Sequence, residues 1–457
     1  MTLNYSLQLT EQINELMRSN LLGLFRTYYP TAKIKEMKRI NSRDRVYTDE
    51  ATLLAMLLTA VQQDKSQQNS VNIYAEIHKN NIPNIIDRRN EAIAIEKEKD
   101  KFAKRRPGKP KAYKPRIAKS KLQEISTNTG SFTTAKQRLD IKLVRMVYAD
   151  SANFANIEIK NKWKGMNVVI TDGTYLQMQD SKELRELYDV KSDSTQYKSG
   201  YPQGLLQVLI EQGSGAVVQF ELGNRHVSEL ELVTKMVPKI KRGTLILADD
   251  LYNTYAIFSL VKKYGLEIIV PGKRTRNYTV KRKIAKGDEI VEIKKTEHPA
   301  WLSKEEKLPE VILMRRLTFE SPLNPGALYV IYTTILDEKI SKTDIVAKYF
   351  SRWDIEISIR EIKTMMDINV IRSKKSDLVI KELMTALIAY NLIRKIIAKA
   401  TENSSFFPKS DIIQKYLEAG KTILIDKKGR IYSRWSPGRY GNANEKNITA
   451  QSSSEAR

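Results

Sequence analysis

MNVVITDGTY (166–175), LLQVLIEQ (205–212), AVVQFELG (216–223), SELELVTKMV (228–237), TLILADD (244–250), YAIFSLVKKYG (255–265) and EIIVPGK (267–273) together decide how this chain folds. The short apolar runs bounded by Gly, Asp and Pro read as buried strands. The first is expected to end at Asp172 and the fifth at its pair of acids. Gly213-Ser214-Gly215 joins two of them as a hairpin. The stretches at 228–237 and 255–265 carry helical periodicity, with Ser228 as a cap and Gly265 as a stop.

The order is strand, hairpin of two strands, helix, strand, helix, strand. Three antiparallel strands followed by parallel crossovers make an α/β fold with an RNase H-like mixed sheet. A simple Rossmann winding alternates strand and helix from the start and fits less well. Beyond it, EIVEIKK (289–295), EVILMRRLTF (310–319) and ALYVIYTTIL (327–336) give a β-rich insertion over 274–335. A long helix is expected from Ser341 to about Met366, and another over 378–400. Upstream, residues 1–96 read as helical. Thr48-Asp49-Glu50 caps the helix that carries LLAMLLTAV (53–61), and a second amphipathic stretch covers 70–80. Residues 131–147 are helical again. A C-terminal region spans 401–440, and the polar tail 441–457 reads as disordered.

The 457 residues include 78 Lys and Arg against 53 Asp and Glu, a formal charge of +25. Such a chain is attracted to polyanions. It has no cysteine and only three histidines, which excludes disulfides, thiolate zinc and a Cys nucleophile. Any metal is expected on carboxylates, as Mg²⁺ or Mn²⁺. The start, MTLNYSLQLTEQ, lacks a signal pattern, and no apolar run nears the ~18 residues of a membrane span. A cytoplasmic protein with no membrane partner is the expectation. The charge is uneven. The proline-bearing stretch 97–121 holds twelve basic and two acidic residues, whereas 165–270 holds eleven basic and thirteen acidic. We read 97–130 as an exposed basic linker or arm, with Lys104, Arg105 and Arg106 as candidates to contact the phosphates of a polyanion; the alternative is a merely solubilising loop.

Asp172 and Asp249 each follow an apolar strand, a common way to place two oxygen ligands on a metal pair. Glu356 is the third candidate, in YFSRWDIEISIREIK (349–363). At 100° per residue Tyr349, Arg352, Glu356 and Lys363 share one face of a continuous helix. That face offers an acid for metal and cations for phosphate oxygens. Asp249 is followed by Asp250. Strand alternation puts these two on opposite faces, so at most one faces the metals.

Tyr349-x₂-Arg352-x₃-Glu356-x₆-Lys363 resembles the Tyr-Arg-Glu-Lys signature of bacterial insertion-sequence transposases of the fourth family, a DDE group. Asp172-Gly173-Thr174 and Ala248-Asp249-x-x-Tyr252 resemble the blocks around that family's first and second acids. KELMTALIAYNLIRKI (381–396) and SFTTAKQRL (131–139) are similar to its flanking helices. The resemblance implies that Asp172, Asp249 and Glu356 are the catalytic metal triad of a domain split over 131–273 and 336–400. It selects Asp249 over Asp250, although relatives often carry Arg at the latter position. It implies phosphate contacts from Tyr349, Arg352 and Lys363. Trp301 in the insertion is the candidate to stack on a flipped base, or else a core residue, and Trp353 is a second candidate against DNA. It further implies two Mg²⁺ ions, with Mn²⁺ as substitute, and double-stranded DNA as partner, both transposon-end inverted repeats and target. The region 1–96 would bind the ends, and a homodimer would assemble on DNA. The expected activity is cut-and-paste transposition. The alternatives are an RNase H-like structure-specific nuclease and a catalytically inert DNA-binding inhibitor.

Overall fold

The computed structural model describes residues 46–62, 65–102, 124–153, 162–188, 200–272, 276–321, 324–353, 358–359, 362–363, 366–401, 424–425 and 431–432. Lys104, Arg105, Arg106, Glu356 and the tail 441–457 lie outside them, and of Trp353 only the backbone is described. The chain divides into two units, Met1–Glu402 and Asn403–Arg457. In the second, Leu424–Ile425 and Ile431–Tyr432 pair antiparallel.

Among the described residues of the first unit, α1 (Asp49–Val61) comes first, and the Thr48 hydroxyl accepts from Ala51 N at 3.2 Å. Next comes α2 (Gln67–Phe102), 36 residues long with Pro83 inside it. The amphipathic stretch expected at 70–80 is thus the start of a longer helix, and the linker does not begin at 97. Lys and Glu are strong helix formers, and the segment's other prolines stand only at 107, 110 and 115, beyond Phe102. Helices α3 (Thr129–Arg138) and α4 (Ile141–Ser151) follow, capped by Asn128 and Asp140.

Strand β1 (Asn167–Met178) leads through α5 (Lys182–Tyr188) to the hairpin β2 (Gln203–Glu211) and β3 (Val217–Asn224). Then come α6 (Glu229–Met236), β4 (Thr244–Leu247), α7 (Tyr255–Lys263) and β5 (Glu267–Pro271). β1–β2 and β2–β3 are antiparallel, and β1–β4 and β4–β5 are parallel. This is the expected RNase H-like order. Four further strands, β6 (Thr279–Ala285), β7 (Asp288–Lys294), β8 (Val311–Ser321) and β9 (Asn324–Thr333), extend the same sheet through an antiparallel β5–β9 pairing. The insertion is therefore continuous with the central sheet. Its edge strand β6 carries no sequence signal, because it is almost wholly exposed and lacks an apolar face. After α8 (Lys342–Phe350) and β10 (Val370–Ile371), α9 (Ser376–Thr401) closes the unit.

Alternation along the strands sorts the core into two clusters. Val168, Ile170, Val208, Leu245 and Leu247 pack with residues of α1, α3, α4 and α9. Val169, Leu209 and Ile246 pack on the other face with α6, α7 and the insertion. Among the described residues no helix is long and apolar enough to cross a membrane.

Two further expectations differ from the structure. β1 does not stop at Asp172 but continues to Met178, because Gly173 and Thr174 stay paired with Gln207 and Leu206 of β2. The helix expected from Ser341 to Met366 breaks. Helix α8 ends at Phe350, where the Ser351 hydroxyl donates to Lys348 O at 2.6 Å, and a 3-10 turn covers Ser351–Trp353. Helical backbone recurs at 358–359 and 362–363.

Candidate active site

Strand pairing brings the first two acids together. β1 and β4 run parallel in register up to Ile170 opposite Leu247. Asp172 and Asp249 each stand two residues further on. There the β4 chain leaves the sheet for a 3-10 turn, Asp250–Tyr252, while β1 runs on beside β2. β1 regains a neighbour on that edge only at Gln177 and Met178, which pair with β10. Asp172 therefore lies in an opening in the middle of the sheet. Its Oδ1 accepts the Gly173 N–H at 2.8 Å, and Asp249 Oδ1 accepts the Leu251 N–H at 2.9 Å. Asp250, one residue on, is exposed, whereas Asp249 is half-buried.

Burial pushes the Asp172 carboxyl up to about 6, with further upward pressure from Glu229 and Asp249; the Gly173 N–H and Arg352 act against it. Asp249 is also raised, first by burial, against the Leu251 N–H and Arg352. The charge of Asp249 thus opposes the ionisation of Asp172, and that of Asp250 opposes the ionisation of Asp249. Arg352 and Tyr349 are hydrogen-bonded, and burial raises the Tyr349 hydroxyl. Lys363 is lowered by burial and drawn back by the charge of Asp172. So Tyr349, Arg352 and Lys363 all come to the acid pair, although α8 breaks between Tyr349 and Arg352. Among the described residues no group of three or more His, Asp or Glu side chains could by itself hold a metal ion.

Trp301 is half-buried against the core cluster that covers the α6–α7 face and the insertion. It is not among the groups whose charge or hydrogen bonds reach Asp172 or Asp249. One further acid carries no signal of its role in the sequence. Glu229 opens α6 and is raised by burial, with the Tyr252 hydrogen bond and the Gly173 N–H acting against this. In sequence it reads as an ordinary acid in a helix first turn, where the helix dipole favours one.

A sheet of three antiparallel strands followed by two parallel crossovers, with register-matched carboxylates in its first strand and just beyond its fourth, is of the RNase H-like class. Within that class, residues 163–392, half of the chain, match the family described as Transposase DDE domain, and the chain belongs to that family. Transposase InsG for insertion sequence element IS4 of Escherichia coli (strain K12) is 27% identical over 275 residues, 59% of this chain and 61% of InsG. Putative transposase InsZ of the same organism is 26% identical over 135 residues, 29% of this chain and 45% of InsZ. This chain thus spans less than two thirds of either relative. A piggyBac transposase synaptic complex with hairpin DNA aligns at a TM-score of 0.33 and 12% identity, over 88% of this chain and 82% of that one. The sequence resemblance to insertion-sequence DDE transposases is borne out.

Proposed function

We propose that this protein is a cut-and-paste DNA transposase. It would bind inverted repeats at transposon ends, cleave them by metal-dependent phosphodiester hydrolysis and join them to target DNA. The observation that carries the reading is the register-matched pair Asp172 and Asp249 with Arg352 and Lys363 beside it.

The residues suit a hard divalent cation. Burial raises both half-buried carboxylates and the charge of Asp249 adds to the rise at Asp172, a situation that a cation relieves, and the donor set is all oxygen. Asp172 and Asp249, with Glu356 third by its signature spacing, would hold Mg²⁺ ions or Mn²⁺ in their place. Bound there, such ions would supply activation of the attacking hydroxyl and stabilisation of the leaving oxygen.

The chain's own cations do the rest. Lys363 and Arg352 neutralise non-bridging phosphate oxygens, and the Tyr349 hydroxyl orients the Arg352 guanidinium through their hydrogen bond. Lys104, Arg105 and Arg106 would contact phosphates outside the site, and their effect would appear as salt dependence. Trp301 and Trp353 are proposed contacts to DNA bases or backbone. A homodimer assembled on two ends would present two such sites.

The test is a strand-transfer assay with the full chain, labelled DNA from the ends bracketing its gene, and Mg²⁺. Joined product is expected. Cleavage without joining would favour a nuclease, and binding alone an inert DNA-binding protein. Glu356→Gln should retain DNA binding and lose cleavage. Wild-type cutting by that variant would remove Glu356 from the triad.

A further inference from the structure

Behind Asp172, on the opposite face of β1, lies a buried hydrogen-bonded relay. Gln207 stands across the ladder from Gly173. Its Nε2 donates to Thr171 Oγ1 at 2.7 Å and to the Tyr252 hydroxyl at 2.7 Å. The Tyr252 hydroxyl in turn donates to Glu229 Oε2 at 2.8 Å. Both Gln207 and Tyr252 are fully buried.

Gly173 makes room for the last member. A Cβ there would meet the Glu229 carboxyl carbon at 2.5 Å, so any side chain at 173 would force that carboxylate away. Glu229 is not spent on its own helix. The capping hydrogen bond of α6 comes from Ser228, whose hydroxyl accepts the Glu231 N–H at 3.1 Å.

The relay touches the supports of both acids. Gly173 follows Asp172 and donates its N–H to that carboxylate. Tyr252 ends the 3-10 turn that Asp249 caps. Beyond Ile170 and Leu247 no ladder pairing joins these two segments among the described residues. The relay bridges them instead, from β2 and α6.

We propose that Glu229 and Tyr252 are positioning residues that fix the spacing of the Asp172 and Asp249 carboxylates from the reverse face of the sheet, and so set the affinity of the site for divalent ions. Outer partners of this kind act through the orientation of the ligands they support. A carboxylate on Tyr252 suits the task, because a charge-assisted hydrogen bond is shorter and stronger than a neutral one.

The proposal rests on Asp172 and Asp249 being ligands, so Asp249→Asn is carried as a control. The full chain, stripped of metal, is titrated with Mn²⁺ alone, and free Mn²⁺ is read by electron paramagnetic resonance. Thermal unfolding is measured on every variant in EDTA. Glu229→Ala and Tyr252→Phe should each raise the half-saturating Mn²⁺ concentration about tenfold. The double variant should be little worse than either single one, because they break one unit. Glu229→Gln, whose amide oxygen still accepts from Tyr252, should stay within about threefold of wild type.

If Gln is as damaging as Ala, Glu229 is itself a ligand and the positioning role is wrong. If neither Ala nor Phe moves the Mn²⁺ curve while Asp249→Asn abolishes binding, the relay is packing only. A shift confined to variants already unfolding at the assay temperature likewise reduces the relay to packing, and Tyr252→Phe, which removes one oxygen, guards against that outcome. If Asp249→Asn binds Mn²⁺ normally, the assignment of the site itself fails.

Discussion

Charge is buried in opposite ways at two places in this molecule. In the insertion Arg315 and Asp288 are 1% and 4% exposed. Their hydrogen bonds are bidentate, at 2.8 and 2.6 Å, and Arg315 also donates to the backbone oxygens of Asp337 and Ile340. At the opening of the sheet Asp172, Asp249 and Glu229 lie close together with like charge, and burial raises all three. A buried charge is expensive unless paired and fully hydrogen-bonded. The first site meets that requirement for the sake of the fold, holding β7 and β8 to the chain leading into α8. The second leaves Asp172 raised by burial and by the charges of Glu229 and Asp249, an arrangement that suits the cation site proposed for Asp172 and Asp249.

The largest effect is expected at the acid pair. Asp249→Asn should lower Mg²⁺-dependent DNA cleavage by at least about a thousandfold, roughly 4 kcal/mol of transition-state stabilisation. Its fold should remain intact by circular dichroism. Retained cleavage would mean that Asp249 is not a ligand. The opposite pattern is expected at the ion pair. Asp288→Ala should cost about 3–5 kcal/mol in urea unfolding, because Arg315 is left buried without its partner. Replacing both residues with apolar side chains should cost much less. A small loss for Asp288→Ala alone would show that the two backbone oxygens suffice for Arg315.

The third test uses pH. The Asp172 carboxyl titrates at about 6 in the folded chain against 3.8 as its ordinary value. Its contribution to stability is therefore fully present below pH 3.8 and lost as pH rises through 6. Asp172→Asn removes that loss. In EDTA at about pH 8 the variant should be more stable than wild type by about 2 kcal/mol. The difference should shrink below about pH 6 and vanish near about pH 4. Equal stability at the alkaline end would mean that the opening does not strain the acid.

Much of this arrangement is legible in the sequence, and particular residues show why the rest is not. The apolar runs at 205–212 and 216–223 admit only a hairpin, and the strand–helix order determines the sheet. Asp172 reads as a strand end because Gly173 and Thr174 look like a turn. In the structure that glycine is there for the close approach of Glu229, inside a strand that continues. Tyr349, Arg352 and Lys363 share a face only on a continuous helix. They reach the acids although the helix breaks at Ser351. Glu229 stays hidden because its neighbour Tyr252 is remote in sequence, and neither periodicity nor spacing links two such positions.

The smallest effect separates helix stability from site geometry. Ser228 caps α6 one residue before Glu229. Ser228→Ala should cost about 1 kcal/mol in unfolding, the usual value of a lost N-cap. It removes no atom of the relay, since Tyr252, Gln207 and the Gly173 contact still hold the Glu229 carboxylate. The Mn²⁺ half-saturation point should therefore stay at the wild-type value while the unfolding curve shifts. If the metal curve moves as far as it does for Glu229→Ala, the first turn of α6 sets the position of the carboxylate. The contrast between charge buried for the fold and charge buried for chemistry would then fail at Glu229, because one helix terminus would serve both.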